Sequence, residues 1–404
     1  MRFALALGVI VGAGACTSAM AQSAPIGASN ARQMQFGLTT DVIYDSNLAH
    51  GSSALAKTLV IRPSDETVRP LLNATVVQPI GRQAFFLSLA AGYDFHRYNK
   101  QLDHINANVS GGARVATGPC QTTLTGTYTA AQSDPYDVPG GSGKNLLTAT
   151  TESVGASCGS ASGFGEQLAV QHGDTSNSNS TRASSDHTVD GISGGVGYTN
   201  AALGTVGLSA SESKQTFPSR MNAKGTLGDS YTSTSLGLVY QKAIGTKLTA
   251  ALSAGGSRIK RESAPPGVPL TSQGLNYNAA LSYNVSHALQ LQATLSRAYT
   301  PSNSPGKLFD LITSTSLSGR YKLGSRFTIS AGGTVENSVS NQDTSGPFTL
   351  ATSFRMQSYN AAIHYQPSPR ASISFSVQQE QKTANIHTFD YTNTEAKISL
   401  GLSY

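Results

Sequence analysis

Residues 84–96 read Ala84-Phe-Phe-Leu-Ser-Leu-Ala-Ala-Gly-Tyr-Asp-Phe-His96, and their parity decides the fold. Phe85, Leu87, Leu89, Ala91, Tyr93 and Phe95 share one parity, while Ser88, Gly92, Asp94 and His96 share the other. Successive side chains of an extended chain leave opposite faces, so period two marks a strand with one apolar and one polar face. The pattern recurs at 276–285, where Tyr277, Ala279, Leu281, Tyr283 and Val285 oppose Asn276, Asn278, Ser282 and Asn284. It recurs again at 371–378, where Ala371, Ile373, Phe375 and Val377 oppose Ser372, Ser374, Ser376 and Gln378. No amphipathic helix stands out.

Alternation alone also suits a soluble sandwich. Three features favour a membrane barrel. The segments run about 10–15 residues, whereas soluble strands average about 5–6 and a tilted membrane strand needs about 9–11. The connections alternate in length. Short ones centre on Pro79–Arg82, Gly118-Pro119, Ala161–Gly163, Ala202–Gly204, Ile244–Thr246, Ser286-His287, Gly324-Ser325 and Pro367–Pro369. Longer polar ones cover 46–66, 134–145, 176–186, 217–228, 262–273, 301–307, 340–347 and 384–393, with 99–103 short where a long one belongs. Finally, Ala396, Ile398, Leu400, Leu402 and Tyr404 alternate with polar or small residues up to the terminal aromatic, the form of an assembly signal read by the bacterial barrel-assembly machinery.

These features give an all-β, antiparallel up-and-down transmembrane barrel. Strands are expected near 33–45, 67–78, 84–98, 103–116, 121–133, 146–158, 165–175, 187–199, 204–216, 229–242, 247–261, 274–285, 288–300, 308–323, 326–339, 348–366, 371–385 and 394–404. That is eighteen, with sixteen as the alternative. Closure follows because a free sheet edge in lipid leaves backbone groups unpaired.

Composition agrees. Of 404 residues only 12% are charged and 38% hydrophobic, with 41 Gly and no Trp. The charged fraction is about half the globular norm of roughly 25%. Mean hydropathy is −0.18. Beyond the first 20 residues no apolar run approaches the 18 or so that a helical span needs. The net charge of +6 is scattered without a Lys/Arg-rich run, so nucleic acid is not an expected partner. Residues 1–21 form a signal peptide: Arg2, an apolar run from Phe3 to Ala15, and Ala19-Met20-Ala21 before a cut at Gln22. Residues 22–404 are then the barrel. A rival lipidation at Cys16 lacks the aliphatic residue expected within Ala13-Gly14-Ala15.

A face of Ser, Thr, Gly, Asn and Gln must meet water, so the apolar face meets lipid. Small residues such as Gly92, Gly112, Ser253, Gly255, Gly332 and Ser376 leave the lumen open. Parity also puts Asp94, Arg114, Arg320, Lys322, Glu336, Glu380, Glu395 and Lys397 there, as pore-lining candidates or as a merely solvated wall. Without Trp, the interfacial girdles fall to Tyr93, Phe95, Tyr240, Tyr283, Tyr299, Phe327, Tyr365 and Tyr404. Cys120 and Cys158 have nearly the index sum of the hairpin around 134–145, which predicts a disulfide in an oxidising compartment. Glu152 shares the parity of Cys158, which implies a bulge or a misplaced strand.

No HExxH or CxxC set occurs. Gly191–Gly197 is glycine-rich but opens no helix, so it is not a phosphate loop. Asp134 and Asp137 fit a turn better than a metal site. Neither a cofactor nor a catalytic centre is expected.

The run Asp41-Val-Ile-Tyr44-Asp45-Ser46-Asn47 resembles the opening of outer-membrane barrels of the beta-barrel porin 2 type. Pro79-Ile-Gly-Arg82, Gly92-Tyr93-Asp94-Phe95 and Tyr98-Asn99 are similar to that family's second hairpin. The resemblance covers 41–130 in detail and implies a porin-like barrel associated with exopolysaccharide production. It brings no catalytic or ligand residues. The expected function is passive passage through an outer-membrane barrel, linked on that resemblance to exopolysaccharide export. Its expected partners are outer-membrane lipid and lipopolysaccharide, the assembly machinery, and polysaccharide or small hydrophilic solutes. The alternative is a structural or adhesive surface barrel plugged by its loops.

Overall fold

A computed structural model describes residues 32–133, 144–159, 162–222, 224–263, 269–303, 307–342 and 352–404. The expected signal peptide, Asp134 and Asp137 lie outside them. Eighteen strands follow one another: β1 (Gln33–Asp45), β2 (Asp65–Ile80), β3 (Gln83–His96), β4 (His104–Thr117), β5 (Cys120–Gln132), β6 (Leu146–Gly159), β7 (Gly163–Asn177), β8 (His187–Asn200), β9 (Gly204–Met221), β10 (Leu227–Ile244), β11 (Leu248–Arg261), β12 (Thr271–Asn284), β13 (Leu289–Pro301), β14 (Lys307–Leu323), β15 (Phe327–Gln342), β16 (Ser353–Ser368), β17 (Ala371–Ala384) and β18 (Tyr391–Ser403). Each pairs antiparallel with its sequence neighbours, and β1 pairs with β18 from Gly37↔Ser403 to Asp45↔Glu395. Reciprocal bonds between Phe36 and Tyr404 (3.1 and 2.7 Å) finish the seam. The barrel is closed, with eighteen strands rather than sixteen.

Connections at one end span two to four residues, and those at the other span five to nineteen. Two of the tightest turns carry Gly81 (φ +62°) and Gly118 (φ +60°) first, followed by Arg82 and Pro119. Positive φ at the first loop position suits a two-residue hairpin and costs glycine nothing. Gly112 serves a different need: a Cβ there would stand 2.0 Å from the carbonyl oxygen of Leu124, so only glycine permits this approach of β4 to β5.

The apolar parity faces outward. Leu38, Leu87, Leu124, Val196, Leu208, Leu238, Leu281, Ile363 and Ile398 are all exposed, a surface that water would oppose and lipid accepts. Aromatic pairs flank the belt. Phe327 stacks on Tyr365 (4.5 Å between centroids) and Phe164 meets Tyr198 (5.1 Å) near the short turns, while Tyr93 meets Phe95 (4.8 Å) towards the long loops.

Four expectations need correction. β6 runs without a bulge, and Glu152 faces outward opposite His172. His172 in turn bonds Asp190 at 2.7 Å, and Asp190 pairs with Lys214, so a polar row marks the upper edge of the belt on this wall. Tyr299 belongs to no girdle. It is 3% exposed, with its ring against Gly274 inside the barrel. The β12–β13 ladder ends at Tyr277↔Arg297, and beyond that point β13 twists its side chains inward. The connection after β1 is not simply polar, and it holds a helix, α1 (Ser53–Thr58). Ser52 caps its start, while Ile61 and Val60 donate back to Ala56 and Lys57 to end it. Ala49, Ala56, Leu59, Ile61 and Leu102 form a small core there. The short 97–103 connection supplies Leu102 as part of that core.

Cys120 and Cys158 are bonded (S–S 2.12 Å) across paired register positions. Replacing both with Ser should leave the barrel able to form, because the β5–β6 ladder persists around them. The link spans 38 residues, whose closure is worth at most about 4 kcal/mol by chain entropy. Heated gel mobility should therefore show the double variant unfolding at a lower temperature; an unchanged transition would deny the link a stabilising part. Leu238→Arg, placed in lipid, should cost about 2–4 kcal/mol of folding free energy, while inward Ser235→Arg should cost little. Urea titrations in lipid vesicles check this contrast, and equal costs would contradict the assigned faces.

Candidate functional site

The candidate site is the lumen, built by the polar parity of every strand. Its residues are buried unevenly. Those in the half next to the short turns, such as Thr123, Thr125, Gln167, Ser209 and Ser330, remain solvent-accessible. A cavity of about 290 Å³ lies at that end, edged by the polar side chains Gln35, Asn73, His364, Gln366 and Ser372 among others. Most of the fully buried inward residues lie towards the long-loop end, where two clusters stand on opposite walls.

The first cluster covers β1–β4 and β18. Arg69 donates Nε to Asp94 Oδ1 at 2.6 Å and Nη2 to the other oxygen. His104 Nε2 stands 3.6 Å from the same carboxylate. Asp94 is 2% exposed, so it is sealed beneath the Arg69 guanidinium and the His104 ring and does not stand free in the lumen. A buried carboxylate persists when its charge is paired and its lone pairs are filled. Asp65 accepts from the backbone N–H groups of Tyr98 and Asn99 (both 3.0 Å) and anchors the 97–103 connection. His50 stacks on Tyr391 (5.3 Å), and Asn47 N–H donates to Asn393 at 2.9 Å, so the first loop lies on β18. At the rim, the Ala384 N–H (2.6 Å) and then His387 (2.8 Å) hold the Asp390 carboxyl below its ordinary value.

The second cluster covers β9–β14. Phe217, Tyr231, Ile259, Tyr299 and Leu308 pack together inside the barrel. Arg220 ties three segments. Its guanidinium lies 3.4 Å from the Phe217 ring centroid, Nε donates to Ser184 O (3.0 Å) and Nη2 donates to Asn303 O. Gln215 also donates to Asn303 Oδ1, at 2.6 Å. The chain after β13 therefore folds inward and reaches β9, four strands away, which narrows the lumen at this level.

All eight candidate charges have inward parity. Arg114, Arg320 and Lys322 lie near the short turns, Lys397 midway, Glu336, Glu380 and Glu395 higher, and Asp94 in the first cluster. Glu336 and Glu380 flank Lys382, which sits 4.6 Å over the Phe354 ring. Glu380 accepts the Tyr391 hydroxyl. These residues line one side of the barrel. The inward faces of β5, β6 and β7 hold no Asp, Glu, Lys or Arg at all. Arg69, Asp41, Lys382 and Arg220 complete the charged wall and the second cluster, and sequence reading passed over them. Parity reveals the first three, whereas Arg220 lies where β9 leaves the ladder. Ile398, Leu400, Leu402 and Tyr404 all face outward and are exposed.

Known proteins match this arrangement in fold. Pseudomonas aeruginosa OccK2 (OpdF), solved in complex with glucuronate, aligns with TM-score 0.50 and 12% identity over 92% of this chain and 98% of its own. The FrpB iron transporter of Neisseria meningitidis aligns with TM-score 0.50 and 10% identity, over 87% of this chain and 62% of its own. No family model matches the chain, and no curated protein does. The fold is that of outer-membrane porins and transporters.

Arg220→Ala removes two charge-assisted hydrogen bonds of the second cluster, each worth roughly 1.5–3 kcal/mol. The segment around Asn303 should then leave the lumen, and single-channel conductance should rise. Unchanged conductance would mean that this segment does not limit passage.

Proposed function

We propose that the chain is a porin-like outer-membrane channel through which small hydrophilic solutes pass passively. The observation that carries this reading is the accessible, polar inward wall of the short-turn half, in a barrel whose outside is apolar. A space of this kind holds water, and a lumen wall of hydroxyls and amides exchanges hydrogen bonds with a polar solute without trapping it. Lumen-facing charges then tune selectivity; among them are Arg114, Arg320, Lys322, Glu336, Glu380 and Lys397, with Asp94 fixing the outer wall. The two inward-packed clusters set the narrow part of the path. The short turns face the periplasm, residues 1–21 direct export and are removed, and the Cys120–Cys158 bond forms there. The glucuronate bound by OccK2, a protein of like fold, supports a hydrophilic solute class. The link to exopolysaccharide export rests on the resemblance within 41–130.

Purified protein in planar bilayers should give discrete, open conductance steps, and vesicles carrying it should swell in a small sugar. Silence from correctly folded barrels would favour the plugged, structural alternative.

A further inference from the structure

The lumen charges are sorted along the barrel axis. Within four residues of the short turns, the inward face carries Arg114, Arg320 and Lys322 and no carboxylate among the described residues. The turns add Arg82, Lys247, Arg326 and Arg370. The acidic residue at that level, Glu166, lies on the outward face beside Cys158. Further from these turns the sign reverses. Asp41, Asp45, Asp65, Asp310, Glu336, Glu380 and Glu395 face inward, against Arg220, Lys307, Lys382 and Lys397. The pairs Arg69–Asp94 and Arg261–Asp229 cancel within themselves.

Fixed charge in a narrow, low-dielectric tube gathers counter-ions when the tube is no wider than a few Debye lengths. Anions therefore fill the periplasmic mouth and cations fill the outer half. The two zones lie in series. A voltage that drives cations inward from outside and anions outward from the periplasm brings both to their meeting point, and the pore fills with carriers. The opposite voltage draws both away, and the pore is depleted. We propose that the barrel is a charge-asymmetric pore, with a basic periplasmic mouth and an acidic outer half, that conducts better when the outer side is positive. This rests on the porin-like reading above.

The test is single-channel current at both polarities, in roughly 0.1 M and 1 M KCl, where the Debye length is about 10 Å and 3 Å. In the dilute salt the two polarities should differ by about twofold, and the difference should vanish in the concentrated salt. The variant R114Q/R320Q/K322Q should still conduct, but nearly equally at both polarities. Should that variant not fold, R320Q alone should reduce the asymmetry. Equal wild-type currents in dilute salt, or an asymmetry untouched by these substitutions, would overturn the proposal while leaving the channel standing. Silence from folded wild-type barrels would overturn the channel reading and this proposal with it.

Discussion

Inside a bilayer a peptide N–H or C=O finds no water, and each one left unpaired costs several kcal/mol. A sheet meets that demand only by closing on itself. The β1–β18 seam is therefore the contact on which the rest depends. Closure fixes every strand in a continuous register, and register fixes which side chains face out. Once the apolar parity meets lipid, the Ser, Thr, Gly and Asn parity has only the interior left, and an interior of that composition cannot pack dry. The polar lumen is thus a consequence of lipid outside.

That constraint holds only over the height of the membrane. Beyond it the backbone can bond water or loops, and strands are free to leave the ladder. The molecule uses this freedom at the long-loop end. There the first loop wraps Ala49, Leu59 and Ile61 over Leu102, and β13 turns Tyr299 inward against Phe217 and Tyr231. Both clusters bury apolar side chains where neither lipid nor water competes. The lumen is narrowed by soluble-protein packing set on top of a membrane-protein wall.

The same division explains what was legible in the sequence. The eighteen strands, the faces of Asp94, Arg114 and Arg320, and the pairing of Cys120 with Cys158 all follow from period two and constant index sums, because lipid enforces strict alternation. Tyr299 was misplaced because parity was carried past the end of the β12–β13 ladder. Helix α1 escaped notice because its apolar residues serve a loop core of only a few side chains. Arg220 was invisible because its partners, Ser184 and Asn303, come from connections whose path no local pattern dictates. Glu152 suggests a bulge by parity alone, because the polar partners that accept it on the outward face, His172 and Asp190, lie on other strands.

The most direct test of oil outside and water inside is a cysteine scan along β10 in lipid vesicles, in a background with Cys120 and Cys158 replaced by Ser. A membrane-impermeant, water-soluble thiol reagent should modify cysteines at Ser233, Ser235 and Gly237 and spare those at Thr234, Leu236 and Leu238. Modification of both parities alike, or of the even positions in preference, would contradict the assigned faces and the lumen built on them.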